Sequence, residues 1–408
     1  MSQAISSEIG LVNADRGAHH AASAKVAIIW MDWYAYHVAR FRALHEHPLL
    51  HGRILGIEYV GGAGVHGDLV FRVAEREGLP ITTLLPDLGW VEAGPKRVAR
   101  ALWSKLNEFN PDVVLIPGCY MLPGLAATVW ARLHGKKAIL MTESAHGDHP
   151  RSAYKQAVKG AILRGLYHSA IAGGTRHVDY LKQMGFREDQ LARPYDVVDN
   201  DYFEREANEC RRRGRGSAKL PGNYFLYVGR LAPEKNVDGL IRAFAEYRRG
   251  GGTWSLVLIG DGPCKGDLKQ QATAEGVADF IHFTGLKSTR EIAAYYSFAG
   301  CFVLASLREP WGLVANEAMA AGLPVILSGR CGCSDDLIDP EGNGYLFDPA
   351  LPHELPVCLQ KMANLSEERR GAMGQRSRDL ISRFSPRLFA EEVVRLAGIR
   401  TVANHSVA

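Results

Sequence analysis

Several protein classes are set aside by what this chain lacks. No stretch approaches about 18 consecutive apolar residues, so no membrane-spanning helix is expected. The net charge is only +4, too small to call for a nucleic-acid partner. Seven cysteines in 408 residues are few and odd in number. Cys119 and Cys301 follow or sit in apolar runs, which suits reduced core thiols and a reducing cytoplasm. Cys331-Gly-Cys333 has no second Cys/His pair at zinc spacing, so no metal site is expected there. No Gly-x-Gly-x-x-Gly follows the first strand of either half, which makes a dinucleotide oxidoreductase the least favoured enzyme class. The first 23 residues have no basic stretch leading into an apolar core, and they read as a disordered tail and not as a signal peptide.

What remains is a soluble α/β composition, 47% hydrophobic and 23% charged, in a chain long enough for two ordinary domains. Short apolar runs alternate with helical periodicity from Lys25 to Val198, and the rhythm restarts at Tyr224-Phe-Leu-Tyr-Val-Gly229. Strand alternating with helix means parallel sheets covered on both faces. The expected architecture is two Rossmann-like, doubly wound domains facing across a cleft: 24–200, and 223–380 joined to it by an exposed linker at 201–222. That linker carries the basic run Arg211-Arg-Arg-Gly-Arg-Gly216. A closing segment, 381–408, holds a helix free to pack back on the first domain.

In doubly wound sheets, ligands sit beyond the carboxyl ends of strands. The chain places its most suggestive residues there. Glu309 and Glu317 stand eight positions apart, one in a loop after the apolar run ending at Ala305, the other inside the Ala-rich run Val314–Ala321. Between them, Trp311, Gly312, Leu313 and Val314 open a helix, whose free N–H groups and partial positive charge suit a diphosphate. Gly312 has no Cβ to obstruct a close approach. Carboxylates on either side of those phosphates suit hydroxyl-rich groups. Arg230 and Lys235, just past Gly229, are a fork and a mobile point charge suited to a diphosphate leaving group. Gly260-Asp-Gly262-Pro follows the next strand, where a backbone can approach a nucleotide closely. Ser328–Asp336 is a further strand-end loop of small and polar residues.

Gly229-Arg230…Glu234-Lys235-Asn236, Gly260-Asp261-Gly262-Pro263 and Glu309-Pro-Trp-Gly312…Glu317-Ala318…Gly322-Leu-Pro324 stand in an order that resembles the retaining glycosyltransferases of family 4, most closely from Tyr224 to Asp348. The resemblance implies a GT-B fold whose second domain binds a nucleoside diphosphate sugar as co-substrate, with no cofactor and no catalytic metal. It implies Glu309 at the donor sugar, Glu317 at the ribose, Arg230 and Lys235 at the diphosphate, and main-chain N–H groups of Gly312 to Val314 beside it. Val198-Asp199…Phe203 resembles that family's interdomain crossover, so Asp199-Asn-Asp201 reads as structural and not as a metal-binding Asp-x-Asp.

The first half departs from the pattern. Met31-Asp-Trp-Tyr-Ala-Tyr-His37 occupies the place of a Gly-Gly loop, and the Gly61-Gly62-Ala-Gly64 loop comes later. Thr142-Glu143-Ser144 stands where many members carry Thr-x-His, with His146, Asp148 and His149 downstream. Glu143 and His146 are the acceptor-side candidates. Residues 151–168 alternate Lys155, Lys159 and Arg164 with apolar positions. They read equally as a helix docked on the sheet and as a peripheral contact with the cytoplasmic face of a membrane. The expected activity is retaining transfer from a UDP- or GDP-sugar to a glycan or lipid-linked acceptor, in envelope or exopolysaccharide synthesis. The alternatives are a nucleotide-sugar epimerase or hydrolase, and a non-catalytic binding protein.

Overall fold

The short apolar runs pair side by side because each is too apolar to leave either face in water. β1 (Val26–Trp30) is buried at every position, and so are β8 (Tyr224–Val228), β11 (Cys301–Leu304) and β12 (Val325–Ser328). That is the signature of a parallel sheet covered by helices on both faces. The computed structural model describes residues 24–62, 76, 78–118, 120–145, 153–215 and 220–400. Residues 1–23, Cys119, His146, Asp148 and His149 lie outside that set.

The first sheet adds β2 (Ile54–Val60), β3 (Ile81–Leu85), β4 (Val113–Ile116), β5 (Lys137–Thr142), β6 (Ser169–Ala172) and β7 (Leu191–Ala192), in the order β3-β2-β1-β4-β5-β6-β7. The second adds β9 (Ser255–Ile259), β10 (Ile281–Gly285) and β13 (Gly344–Phe347), in the order β10-β9-β8-β11-β12-β13. All recorded pairings between these strands are parallel, with Val26 opposite both Ile54 and Val113 and Phe302 opposite Val325. In each sheet the order reverses beside the first strand of its half, β1/β4 and β8/β11. Loops diverge there and leave a crevice.

The exposed linker expected at 201–222 is instead helical over most of its length. Helix Asn200–Arg213 begins at Asp199, whose carboxylate accepts from the Tyr202 N–H at 2.9 Å. Phe203 and Ala207, one turn apart, are buried against helices Thr289–Phe298 and Leu313–Ala320. Arg211, Arg212 and Arg213 of the basic run that suggested a linker form the last turn, where cations suit the helix dipole. Arg211 also donates to Ser297 O at 3.0 Å and Ala321 O at 2.7 Å, so it is tied to the second domain. Asn200 donates to Ile381 O and Phe384 O, both at 3.1 Å, where the chain crosses back. Helix Pro386–Ala397 then packs on helix Ala35–Glu46 and on β5, β6 and β7 of the first sheet. Two crossings therefore join the bodies beneath the cleft.

Helix Ala153–Leu166 buries Leu163 and leaves Tyr154, Val158 and Ile162 exposed. No helix among the described residues is long and apolar enough to cross a membrane.

Candidate functional site

The loops after β8, β9, β11 and β12 meet at the β8/β11 reversal, and glycine is what lets them approach. Gly229 and Gly260 have φ of 156° and 141°, outside the range that side chains readily adopt. A Cβ at Gly260 would overlap the Gly229 carbonyl oxygen, and one at Gly262 the Leu231 carbonyl oxygen. The Leu231 N–H donates to Asp261 O at 2.9 Å, lacing the two loops. These glycines therefore serve loop-to-loop packing first.

The Lys235 loop is laced to the Glu309 loop in the same way. Asn236, in the left-handed conformation with φ 54°, donates to Ala305 O at 3.0 Å. Leu307 and Arg308 N–H both reach Glu234 O, at 2.9 and 3.3 Å. The result is that Lys235 Nζ stands 2.5 Å from Glu309 Oε2, with only 19% and 10% of these side chains exposed. Ser306 Oγ donates to the same carboxylate oxygen at 3.1 Å. Arg230 lies at the rim, exposed, and among the described residues its guanidinium makes no hydrogen bond or ion pair.

Gly312 takes φ 107° to start helix Leu313–Ala320, and no side chain caps that start. The first-turn N–H groups of Leu313 and Val314 thus face a place the helix itself does not fill. Glu317, one turn in, accepts from Tyr296 OH at 2.8 Å. Burial raises its carboxyl to about 7 against the opposing pull of that hydrogen bond. Cys331 and Cys333 are fully buried beside this site; burial first, then the Glu309 charge, push the Cys331 thiol up, and burial, then Cys331 and Glu309, push up that of Cys333. Cys331 also accompanies a short parallel bridge to Glu309.

Trp311 was expected among the donor contacts, and its side chain lies elsewhere. It is 1% exposed, packed on His177 and Phe384, with its indole N–H donated to Asn316 Oδ1 at 2.9 Å. Asn316 in turn donates to Asp196 O at 3.0 Å. Backbone dictates this: Gly173 and Gly174 of the first domain lack side chains, and the indole lies against them. Trp311 is a plug between domains.

Across the cleft, a cavity of about 560 Å³ opens between the bodies, lined by Trp30, Tyr36, Tyr120, Glu143, Tyr195 and Pro310 among others. Glu143 faces it and hydrogen-bonds Asp196. Asp196 is wholly buried 3.3 Å from the equally buried Arg40. Burial above all, then the neighbouring Glu143 charge, hold the Asp196 carboxyl well above its ordinary value despite Arg40. Arg40 lies over the Tyr195 ring at 4.3 Å, and Trp30 donates to Tyr195 OH at 3.0 Å, so the wall is rigid. A second cavity of about 620 Å³ lies on the other side of Pro310, with Arg308, Glu309, Arg330 and Asp348 in its wall. His146, the other acceptor-side candidate, is outside the described residues. Among the described residues, no three His, Cys, Asp or Glu side chains are placed to hold a metal ion.

The structure thus brings Lys235, Glu309, Glu317 and the Gly312–Val314 start to one crevice, with Glu143 opposite. Ser306, Tyr296, Asp196, Arg176 and His177 were missed from sequence. Gly173-Gly-Thr-Arg-His177 at the end of β6 was the available signal for the last two.

Two facing doubly wound sheets with a lysine–glutamate pair at the switch point define the GT-B class. Solved structures agree: Anabaena Alr3699/HepE in complex with UDP has a TM-score of 0.68 at 17% identity, covering 90% of this chain and 98% of that one. The lipopolysaccharide outer core galactosyltransferase WaaB superposes at 0.65 with 17% identity, over 90% and 98%. Residues 212–379 match the family model of glycosyl transferases group 1. It is similar to alpha-monoglucosyldiacylglycerol synthase of Streptococcus pneumoniae, 39% identical over 26% of this chain and 24% of that protein. It is also similar to the sulfoquinovosyl transferase SQD2 of Arabidopsis thaliana, 28% identical over 69% and 55%. The alpha-D-kanosaminyltransferase of Streptomyces kanamyceticus is 33% identical over 42% and 44%. The matched regions span from about a quarter to about half the length of these relatives.

Proposed function

We propose that the protein is a family 4 type, retaining glycosyltransferase that moves a sugar from a nucleoside diphosphate sugar to a lipid-linked or glycan acceptor. The observation that carries this reading is the Lys235–Glu309 pair, 2.5 Å apart, at the β8/β11 switch point. The uncapped start of helix Leu313–Ala320 follows it, and an aromatic cavity lies across the cleft. In this reading the diphosphate lies against the Gly312–Val314 N–H groups, Arg230 and Lys235. Glu317 accepts hydrogen bonds from the ribose, and Glu309 contacts the donor sugar. The acceptor hydroxyl approaches from the Glu143 side and attacks the anomeric carbon on the face the diphosphate leaves. The departing phosphate oxygen takes the hydroxyl proton. Negative charge grows on the leaving group as the bond breaks, so cations and amides fixed there stabilise the transition state more than the ground state.

The cationic side chains neutralise the charge a metal would otherwise neutralise, and chelation by EDTA should leave turnover unchanged. A uridine donor is favoured, because the HepE structure of the same fold holds UDP; a guanosine donor is the second arm of the test. A lipid-linked acceptor draws support from Tyr154, Val158 and Ile162, exposed beside Lys155 on helix Ala153–Leu166, with Lys159 of the same helix lining the cavity. The similarity to alpha-monoglucosyldiacylglycerol synthase fits an envelope-lipid role at the cytoplasmic membrane face. The test is a thermal-shift screen against UDP, GDP, ADP and their sugars. A ligand bound only by the folded state adds about 2.7 kcal/mol at a hundred times its dissociation constant. No shift with any of them, in folded protein, would overturn the reading.

A further inference from the structure

Glu309 is held partly from outside its own domain. Its carbonyl accepts from Gly332 N–H at 2.9 Å within the second domain. The next carbonyl, Pro310 O, is taken by the first domain: His177 Nε2 lies 3.0 Å away. The Gly174 N–H donates to His177 Nδ1 at 3.1 Å, so the ring proton sits on Nε2 and is donated to Pro310 O. Arg176 Nη1 donates to Gly329 O at 2.9 Å and to Cys331 O at 3.1 Å, three residues and one residue before Gly332 on its strand-end loop. Its Nε and Nη2 clamp Asp335 at 2.5 and 2.6 Å. The second domain answers with Asp336, which accepts from Thr175 N–H at 2.7 Å and Thr175 Oγ at 2.6 Å. One domain's carboxylate thereby caps the other's helix Thr175–Gln183.

The Arg176–Asp335 pair is a third to nearly half exposed, so it adds little stability. Its consequence is geometric. The bonds from Thr175, Arg176 and His177 cross between the domains, and those to Pro310, Gly329 and Cys331 end on the two loops whose relative position sets the Glu309 carboxylate. We propose that Arg176 and His177 are positioning residues for Glu309. Docked on Pro310, Gly329 and Cys331, they place its carboxylate, and the donor site is complete only while the two domains are closed. The proposal rests on the transferase reading for its effect on rate. A displacement of roughly 1 Å at a reacting centre reduces rate about 100-fold.

The test uses His177→Leu, His177→Gln and Arg176→Met in the full chain. A glutamine amide nitrogen reaches Pro310 O as Nε2 does; leucine has no donor. Amide hydrogen exchange is followed over 309–312 and 329–335, with 224–228 and 255–259 as the internal control. Nucleotide affinity is measured with UDP and GDP, and sugar release with UDP-glucose and GDP-mannose. The expected result is faster exchange confined to 309–312 and 329–335 in His177→Leu and Arg176→Met. With it come unchanged nucleotide affinity, a kcat lower by about 100-fold and substantial recovery of both in His177→Gln. Unchanged exchange and kcat overturn the proposal. So does faster exchange spread across the second sheet, or a fall in nucleotide affinity, either of which marks a merely structural role. If the unaltered protein neither binds nor turns over any of these compounds, the transferase reading falls. The exchange pattern still decides whether the first domain holds the loop.

Discussion

Glu317 carries the prediction that the structure makes most quantitatively. Burial raises its carboxyl from an ordinary 4.5 to about 7, while Tyr296 OH, 2.8 Å away, stabilises the charged form. If ribose hydroxyls donate to Glu317, only the carboxylate receives them fully. Apparent donor affinity then falls as the group protonates, by about tenfold between pH 8 and pH 6 and about 90-fold between pH 8 and pH 5. The assay is titration calorimetry with a nucleotide sugar, whose diphosphate diester does not itself titrate in this range. Glu317→Gln should bind more weakly at pH 8 and show no such slope. Tyr296→Phe should move the midpoint upward, because it removes the hydrogen bond that favours the carboxylate. Stability must move the opposite way to affinity. A folded-state pKa above the unfolded value means the native state holds the extra proton, so the contribution is complete below about 4.5 and is lost as pH rises through 7. At 1.36 kcal/mol per pH unit that loss is at most about 3 kcal/mol. Glu317→Gln should therefore equal the parent in stability near pH 4 and exceed it at pH 8. A pH-independent affinity in the parent, or the same slope in Glu317→Gln, would refute the assignment to the ribose.

Lys235→Ala and Glu309→Ala should each reduce sugar transfer by about 100- to 1000-fold with the fold retained; near-normal turnover in either sinks the role given to it. Trp311→Ala removes a wholly buried indole between the domains, and should destabilise by about 3–5 kcal/mol in denaturant titration. Little change would mean the domains do not share that contact in solution. Gly260→Ala forces a Cβ onto the Gly229 carbonyl at φ 141°, so nucleotide affinity and melting temperature should fall together; a fall in affinity alone would show that the glycine serves the ligand and not the loop packing.

Local chemistry was legible where a property depends on residues close in sequence. Uninterrupted apolar runs such as Tyr224–Val228 and Cys301–Leu304 announce buried parallel strands, and Gly322 and Pro324 announce the end of the helix that carries Glu317. The order of the motifs around Arg230, Lys235, Gly260, Glu309 and Glu317 pointed to one crevice, because strand-end loops of a doubly wound sheet converge by topology. The helix at Asn200–Arg213 was misread because its arginines resemble a solvated linker. Its fate depended on Phe203 and Ala207 finding a partner surface some 90 to 110 residues further along.

Sequence by itself determined that two parallel α/β bodies form, and that one of them carries carboxylates and cations at its strand ends. These follow from periodicity and turn chemistry, which are local. Tertiary structure alone decided that Trp311 is an interdomain plug, that Asp196 is buried against Glu143, and that His177 holds the carbonyl next to Glu309. Those facts depend on contacts between residues 53 to 138 positions apart, and on burial, which changes a carboxyl's proton affinity only once other segments have excluded water from it.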